Sequence, residues 1–435
     1  MILHRSLFTL LIAAVTSPAA LAQAPPSDLV DYVKKDDKAF AWKVAQKAET
    51  DSGTVYELDL TSQKWQDITW THKVQIFVPK DVKPQKTMVL WNQGGKPNAA
   101  SGVLGLQLAN KIGAPVAFLY GIPNQPLFGG KTEDALIAET FVKYLETKDS
   151  SWPLLFPMVK SLIKAMDALQ AFAKEEWKFD VTHFVVTGAS KRGWTSWLTA
   201  ATGDPRVKAI APLVIDTLNF PLQMKNQIGA FGKPSEMVHD YVDRKLIPIP
   251  DTPEAKKLWQ MIDPWVYREK LTLPKMIING ANDPYWPLDA LNSYWDDLKG
   301  EKYVLYVPNA GHDLREADDA GKKQLIPERA VNTLSAFCKS QIFDTKMPTL
   351  TWTCEVSGAS CKLSAKSDPA VKAMKLWVAD SPTRDFRRSH WVAQDGDTVT
   401  RPPLGFRACF GEVECKDGDL VYQLSSRVEI LEAKK

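Results

Sequence analysis

The chain has 435 residues, a formal net charge of +3, 45% hydrophobic residues and 24% charged residues. This composition is ordinary for a globular protein, and the length exceeds what one core usually covers, so we expect two domains. The charge is small and no Lys/Arg cluster is interleaved with aromatic residues, so the sequence gives no support for nucleic-acid binding.

The N-terminus has the pattern of a signal peptide. His4 and Arg5 precede an apolar stretch over residues 7–15, and Ala20-Leu-Ala22 fits the pattern of a cleavage site with small residues two positions apart. The apolar stretch is too short to cross a membrane permanently. We predict a signal peptide over residues 1–22, cleaved after Ala22, and a periplasmic or secreted mature protein with no stable membrane span.

Residues 28–345 alternate between strand and helix patterns, which predicts a mostly parallel sheet with helices on both faces. An opening hairpin is expected from strands over 55–60 and 69–78. The later predicted strands cover 88–92, 116–120, 183–187 and 207–215, and the predicted helices cover 104–112, 132–146, 152–174 and 191–201.

A serine follows the strand over 183–187 at a sharp turn. The sequence Gly188-Ala-Ser190-Lys-Arg-Gly193 places Ser190 between that strand and a helix. The hydroxyl would project above the sheet, and the helix N-terminus would offer free N–H groups to an oxyanion. This is typical of the nucleophile elbow of α/β-hydrolases, G-x-S-x-G, although here the second glycine comes one position later.

Two further strands end in residues that could complete a catalytic triad. One begins at Lys275 and leads to Asp283, and the next begins at Lys302 and ends just before His312. Serine, acid and histidine follow in the α/β-hydrolase order. We predict Ser190 as nucleophile, His312 as its base and Asp283 as the orienting acid. Asp216, after the strand over 207–215, is the alternative acid.

Several nearby residues are candidates for supporting roles. The N–H of Lys191 and an amide of Gly94 or Gly95 would form the oxyanion hole, although the two glycines also fit a plain turn. Arg192 is a candidate contact for an anionic substrate group or for a nearby carboxylate. Asp134 and Glu139 could bind a cation such as a peptide amine. No metal or organic cofactor is implied.

The alternation breaks after Asp216, where aromatic residues, prolines and helical pieces replace it. In α/β-hydrolases this interval commonly carries a cap over the active site. We therefore predict a lid over residues 220–267.

From residue 346 the pattern changes to short runs with period two, separated by turn residues. This predicts a small antiparallel β-sandwich over 346–435, of immunoglobulin or fibronectin type. Such a module would brace the catalytic domain or bind a protein or glycan partner.

Four of the five cysteines lie in this last part of the chain. In an exported protein an even set predicts two disulfides, of which Cys354–Cys361 with Cys409–Cys415 is the simplest of three connectivities. Zinc binding by the four is the alternative. Cys338 stands apart in an amphipathic segment and is expected to be buried and free.

The motifs around the three predicted triad residues resemble those of the PhoPQ-activated pathogenicity-related proteins, a family of secreted or periplasmic bacterial proteins. The resemblance rests on Gly188-Ala-Ser-Lys-Arg-Gly-Trp-Thr195, Asn279-Gly-Ala-Asn-Asp-Pro-Tyr-Trp286, Asn309-Ala-Gly-His-Asp313 and a late Trp377-Val-Ala-Asp-Ser-Pro-Thr-Arg-Asp-Phe-Arg387. It implies an α/β-hydrolase fold and a triad of Ser190, Asp283 and His312. The shifted glycine also resembles the G-x-S-R-x-G elbow of glucuronoyl esterases.

Together these features predict an exported serine hydrolase that cleaves an ester or amide, with an esterase preferred. A peptidase or aminopeptidase of the same fold is one alternative. A secreted signalling or binding protein that retains the scaffold without catalysis is the other.

Overall fold

The computed structural model describes residues 24–358, 360–368 and 374–434, so the predicted signal peptide at 1–22 lies outside the described residues. In this part of the chain the helices are α1 (Asp28–Lys34), α2 (Ala99–Ile112), α3 (Glu133–Thr147), α4 (Leu155–Phe172), α5 (Lys191–Ala201), α6 (Phe220–Phe231), α7 (His239–Asp243), α8 (Pro253–Ile262) and α9 (Glu328–Phe343). None of them is long and apolar enough to cross a membrane.

The larger sheet contains nine strands among the described residues: β1 (Ala41–Thr50), β2 (Gly53–Trp65), β3 (Ile68–Pro79), β4 (Thr87–Asn92), β5 (Val116–Leu119), β6 (His183–Ala189), β7 (Val207–Leu213), β8 (Lys275–Gly280) and β9 (Lys302–Val307). They lie in the order β1-β2-β3-β5-β4-β6-β7-β8-β9. The neighbouring pairs from β5 through β4 to β9 are parallel, whereas the pairs β1–β2, β2–β3 and β3–β5 are antiparallel. This sheet confirms the predicted α/β-hydrolase fold.

Helices cover both faces of the sheet because successive side chains of a strand point to opposite sides. In β4, Met88 and Leu90 lie in the core that α4 and α5 share, whereas Val89 and Trp91 lie in the core that α2 and α9 share. The fully buried strand therefore contributes to two cores, which is typical of a parallel strand covered on both faces.

The segment between β7 and β8 contains α6, α7, α8 and two 3₁₀ helices, Glu236–Val238 and Pro264–Lys270. The buried carboxylate of Asp263 fixes the start of α6, since it accepts hydrogen bonds from the N–H groups of Asn219 and Phe220 (3.1 and 2.9 Å). This segment includes the predicted lid, and several of its side chains lie beside Ser190.

The C-terminal part forms two antiparallel sheets, as predicted. The first contains β10 (Thr349–Ser357), β11 (Ser360–Asp368) and β14 (Thr398–Thr400), and the second contains β12 (Met374–Ser381), β13 (Val392–Gln394), β15 (Phe406–Asp417), β16 (Leu420–Ser425) and β17 (Glu429–Glu432). They face each other across a small core that includes Leu363 and Leu376. Phe410 of β15 packs on Tyr306 of β9, with ring centroids 5.8 Å apart, so the second sheet also packs on the hydrolase sheet.

One of the two predicted disulfides is present in the structure. Cys354 and Cys361 are bonded to each other, so this pair is not available as zinc ligands. Cys409 and Cys415 carry free, buried thiols, and the predicted bond between them is wrong. Both lie on β15, where a separation of six residues spans about 20 Å, whereas a disulfide needs Cα atoms within about 7 Å. Cys338 is buried and free, as expected.

Candidate active site

Ser190 occupies the tight turn between β6 and α5, with φ 57° and ψ −125°. A non-glycine residue in this conformation is strained and persists only where its surroundings hold it. The Ser190 N–H donates to the carbonyl of Leu213 (2.8 Å), and its own carbonyl accepts from the N–H of Trp194 (3.0 Å). Both neighbouring elements thus fix the serine at the carboxyl edge of the sheet.

The shifted glycine has a steric reason. A Cβ at Gly193 would lie 2.6 Å from Cγ2 of Ile215 and 3.0 Å from the carbonyl oxygens of Gly188 and Leu213. A Cβ at Gly188 would lie 2.5 Å from Nδ2 of Asn92. The elbow therefore needs glycine at 188 and 193, because α5 lies directly against β6 and β7 there.

Arg192, in the usual place of the second glycine, is held inside the protein. Its Nη1 and Nη2 donate to the two carboxylate oxygens of Glu133 (2.6 Å each), and its Nε donates to the carbonyl of Ile122 (2.5 Å). Burial raises the pKa of Glu133, but the hydrogen bonds and charge of Arg192 outweigh it and lower that pKa to about 2. Of the two uses expected for Arg192, the structure contains the carboxylate contact, and the substrate contact stays a prediction.

Lys191 and the predicted cation-binding carboxylates are also paired internally. Nζ of Lys191 lies 2.8 Å from Asp134 and 3.4 Å from Glu133. Asp134 also accepts a hydrogen bond from the Tyr241 hydroxyl (2.9 Å). Glu139 lies 3.7 Å from Lys131. Sequence reasoning missed Glu133, which has no motif of its own.

The predicted base and acid are in contact. Nδ1 of His312 lies 2.8 Å from Oδ2 of Asp283, and the carboxylate is almost completely buried. The other oxygen of Asp283 accepts the N–H of Tyr285 (2.8 Å). A carboxylate at Nδ1 favours the tautomer with its proton there, which leaves Nε2 free to accept a proton.

Nε2 of His312 is buried and has no hydrogen-bond partner among the described residues, the Ser190 hydroxyl included. The Tyr285 ring lies against the imidazole, with centroids 4.3 Å apart, and it lines the same cavity as Ser190. Hydrogen bonds between nucleophile and base are often long in free enzymes and tighten when substrate binds.

Asp216, the alternative acid, does not contact the histidine. Its carboxylate accepts hydrogen bonds from the Tyr294 hydroxyl (2.5 Å) and from Nδ2 of Asn279 (3.0 Å). Burial raises its pKa to about 7, and the charge of Asp283 adds to the shift. Of the two acids, Asp283 is the one that forms a hydrogen bond with His312.

The predicted oxyanion-hole residues lie around the elbow. Lys191 is the first residue of α5, so its N–H has no acceptor within the helix. Gly94 lies against Arg192, because a Cβ there would be 2.2 Å from Nη2. Gly95 has φ +64° and follows in the same loop, beyond the carboxyl end of β4.

The C-terminal part contacts the turns that carry Asp283 and His312. Bracing of the catalytic domain was expected from the sequence, but these particular contacts were not. Nδ2 of Asn282, adjacent to Asp283, donates to the carbonyls of Phe386 (3.0 Å) and Ser389 (2.7 Å). Nδ2 of Asn309 likewise donates to the carbonyl of Trp391 (2.9 Å). Asn282 and Asn309 both stand inside the motifs that contain the predicted acid and histidine, and this position was the available signal in the sequence.

The same C-terminal segment also contacts the region between β7 and β8. Arg387 donates to Glu236 (2.9 Å) and its guanidinium lies 4.0 Å from the centre of the Phe231 ring. The segment thus contacts the turns that carry Asp283 and His312 and also the region between β7 and β8.

The chain is similar in sequence to known proteins. A sequence model described as PhoPQ-activated pathogenicity-related protein matches residues 29–387. Autocrine proliferation repressor protein A of Dictyostelium discoideum is 31% identical over 451 residues, covering 93% of this chain and 89% of that protein.

Solved structures with a similar chain path include acetyl xylan esterase 1 from Thermoanaerobacterium sp. JW/SL YS485, with a TM-score of 0.48 and 13% identity over 66% of this chain and 89% of that chain. An S-formylglutathione hydrolase from Agrobacterium tumefaciens has a TM-score of 0.45 and 13% identity, over 69% of this chain and 99% of that chain.

Proposed function

This chain belongs to the PhoPQ-activated pathogenicity-related protein family, and we propose that it is an exported serine hydrolase that cleaves an ester through an acyl-enzyme. The observation that carries the proposal is the 2.8 Å contact between His312 and Asp283, at the sheet edge where Ser190 occupies a strained turn. The strained backbone of Ser190 and the buried, unpaired Nε2 of His312 both destabilise the folded protein, and a catalytic role would explain why they are present.

In the proposed reaction, Oγ of Ser190 attacks the ester carbonyl while Nε2 of His312 takes its proton. The bond from carbonyl carbon to the alcohol oxygen then breaks, and His312 gives that proton to the departing alcohol. His312 then takes a proton from water, whose oxygen attacks the acyl carbon. The bond from that carbon to Oγ of Ser190 breaks, His312 returns the proton to Oγ, and the acid is released. Asp283 stabilises the imidazolium in both halves of the cycle.

The negative charge on the carbonyl oxygen would be held by backbone amides. The N–H of Lys191 at the start of α5 is one donor, and an N–H of Gly94 or Gly95 is the second. The paired charges of Arg192 and Glu133 support this arrangement, because they fix the residue after Lys191 against the glycine loop.

An esterase is preferred over an aminopeptidase. An aminopeptidase needs a free carboxylate for the substrate's amine. Asp134 lines the same cavity as Ser190, and Glu133 precedes it in the chain. Both are already neutralised by Arg192 and Lys191. Export rests on the predicted signal peptide, and the Cys354–Cys361 disulfide is compatible with an oxidising compartment.

A second candidate function is signalling or binding without catalysis. The observation that favours it is the 31% identity to the Dictyostelium protein named Autocrine proliferation repressor protein A. Under this candidate function, Ser190, Asp283 and His312 keep their positions but catalyse no reaction.

A fluorophosphonate probe distinguishes the two. We expect the probe to label the wild-type protein at Ser190, and labelling to disappear in Ser190→Ala and to slow strongly in His312→Ala. Ser196→Ala, a change in the same helix, is the matched control and should label normally. If the probe does not label the folded wild-type protein, signalling or binding without catalysis would be favoured.

A further inference from the structure

Two side chains of the segment between β7 and β8 are hydrogen-bonded to the turn that carries the predicted acid. We call this part of the chain, residues 214–274, the β7–β8 segment. Nε2 of Gln227 donates to the carbonyl of Tyr285 (3.1 Å), and Oγ of Ser235 donates to the carbonyl of Pro284 (2.7 Å). The two residues directly after the acid are therefore both held by the β7–β8 segment.

These two side chains also hold each other. Oε1 of Gln227 accepts a hydrogen bond from the N–H of Ser235 (2.8 Å), and Oγ of Ser235 accepts one from the N–H of Met237 (3.1 Å). Gln227 is completely buried and Ser235 is 2% exposed. Breaking a buried hydrogen bond leaves a polar group without a partner, so the turn resists displacement relative to the β7–β8 segment.

Tyr285 connects this turn to both the acid and the base. Its N–H donates to Oδ1 of Asp283 (2.8 Å). Its ring lies against the imidazole of His312, with centroids 4.3 Å apart and an angle of 30° between the planes. A displacement of Tyr285 would therefore change the surroundings of both residues.

The ring supplies a restraint that the hydrogen bond at Nδ1 of His312 does not. The imidazole can swing about a single hydrogen bond, and its Nε2 has no partner among the described residues. The Tyr285 ring blocks one face of the imidazole and so limits this motion. In the proposed reaction the imidazole gains a proton, and the face of an aromatic ring attracts the resulting cation.

We propose that Tyr285 is a positioning residue for His312, and that the β7–β8 segment holds it in place through Gln227 and Ser235. The segment that contains the predicted lid then also supports the catalytic base, and the geometry of the triad depends on how this segment packs. This inference rests on the proposed hydrolase function and concerns the arrangement of that same site.

The first part of the test removes the ring. We expect the fluorophosphonate probe to label Tyr285→Leu about 10–100-fold more slowly than the wild type, because a small misplacement of a reacting group has an effect of this order. Tyr285→Phe keeps the ring and should label at nearly the wild-type rate. The matched control is Tyr303→Leu, since Tyr303 is also half-buried but packs on Phe337 of α9, with centroids 6.1 Å apart. This control should also label at nearly the wild-type rate.

The second part removes the hydrogen bond from the β7–β8 segment. Gln227→Ala should slow labelling and lower kcat for p-nitrophenyl acetate by about 10-fold. KM should change little, because Gln227 is completely buried and would act through Tyr285. The matched control is Gln223→Ala in the same helix. Gln223 is also completely buried, but its Nε2 donates to the carbonyls of Leu218 (3.0 Å) and Ala290 (2.9 Å), so its loss should leave both rates nearly unchanged.

A double variant tests whether Gln227 acts through Tyr285. Two residues that act along one route do not have independent effects. Adding Gln227→Ala to Tyr285→Leu should therefore slow labelling by less than about 2-fold further. Thermal unfolding of every variant shows that the labelling rates compare folded proteins.

Equal labelling of Tyr285→Leu and Tyr303→Leu would overturn the role of the ring. Equal losses in Gln227→Ala and Gln223→Ala would overturn the role of the β7–β8 segment, and losses that multiply in the double variant would overturn the route through Tyr285. All three results leave a labelled Ser190 in the wild type and the proposed function intact. A wild-type protein that is not labelled would contradict the proposed function itself, and this inference with it.

Discussion

Asn309 and Trp391 exchange two hydrogen bonds: Nδ2 of Asn309 donates to the Trp391 carbonyl (2.9 Å), and the Trp391 N–H donates to Oδ1 of Asn309 (2.8 Å). The turn that carries His312 is thereby fixed to the C-terminal part of the chain. Trp391 in turn packs on Phe410 of β15, with centroids 5.0 Å apart. The second antiparallel sheet thus helps to place the imidazole.

The first prediction concerns this contact. Asn309→Ala should lower kcat about 10-fold with little change in KM, because a displaced imidazole costs rate more than binding. Asn292→Ala is the matched control, since Nδ2 of Asn292 also donates to a C-terminal carbonyl, that of Val428 (2.9 Å), away from the turns that carry Asp283 and His312. Steady-state kinetics and thermal unfolding of both variants measure the effect. Equal losses of kcat in Asn309→Ala and Asn292→Ala would mean that Asn309 stabilises the fold and does not specifically position His312.

The second prediction separates the two acids. Asp283→Asn should reduce kcat on the order of 10³–10⁴-fold, because the amide favours the wrong imidazole tautomer. Asp216→Asn should change kcat less than about 10-fold, because Asp216 contacts Tyr294 and Asn279 rather than His312. Ester hydrolysis at pH 8 measures both. A larger loss in Asp216→Asn would reverse the assignment.

The third prediction concerns pH. Burial raises the pKa of Asp216 to about 7, whereas in the unfolded chain it is near 4. The folded protein thus retains a proton that the unfolded chain has lost, so this group's contribution to stability is complete below about pH 4 and decreases as pH rises to about 7. Relative to Asp216→Asn, the wild type should lose about 1 kcal/mol of unfolding free energy per pH unit in this window.

Urea unfolding of the wild type and Asp216→Asn at several pH values between 4 and 8 measures this difference. Parallel stability curves for the two proteins would contradict the raised pKa. The comparison cancels the titration of groups that both proteins share.

The fourth prediction concerns the elbow helix. Gly193→Ala should destabilise the protein by about 1–3 kcal/mol and reduce probe labelling, because its Cβ would clash with Ile215 and two carbonyls. Gly102→Ala is the control: it lies in α2 with no atom within 4 Å of its Cβ and should stabilise by roughly 0.5–1 kcal/mol. Denaturant unfolding measures both. A neutral Gly193→Ala would mean that α5 can move away from β7.

The fifth prediction counts thiols. Of the five cysteines, Cys338, Cys409 and Cys415 are free, so the protein denatured without reductant should titrate three thiols. The folded protein should react slowly, because all three are buried and burial raises the pKa of Cys409 to about 12 and of Cys415 to about 11. A single thiol in the denatured protein would indicate the Cys409–Cys415 bond instead.

The sequence by itself determined the α/β-hydrolase fold, because strand and helix periodicity and the glycines at 188 and 193 are local properties of the chain. It also determined which serine, acids and histidine come directly after strands. Parallel strands of one sheet end at the same edge, so these candidates had to share that edge.

Only the tertiary structure decided which acid meets His312, that Arg192 is occupied by Glu133, and that Asn309 bonds to Trp391, which lies 82 positions later. It also decided that one predicted disulfide forms and the other does not. The physical reason is that periodicity and turn residues encode the local path of the backbone. The directions of side chains from distant segments are fixed only when those segments pack together.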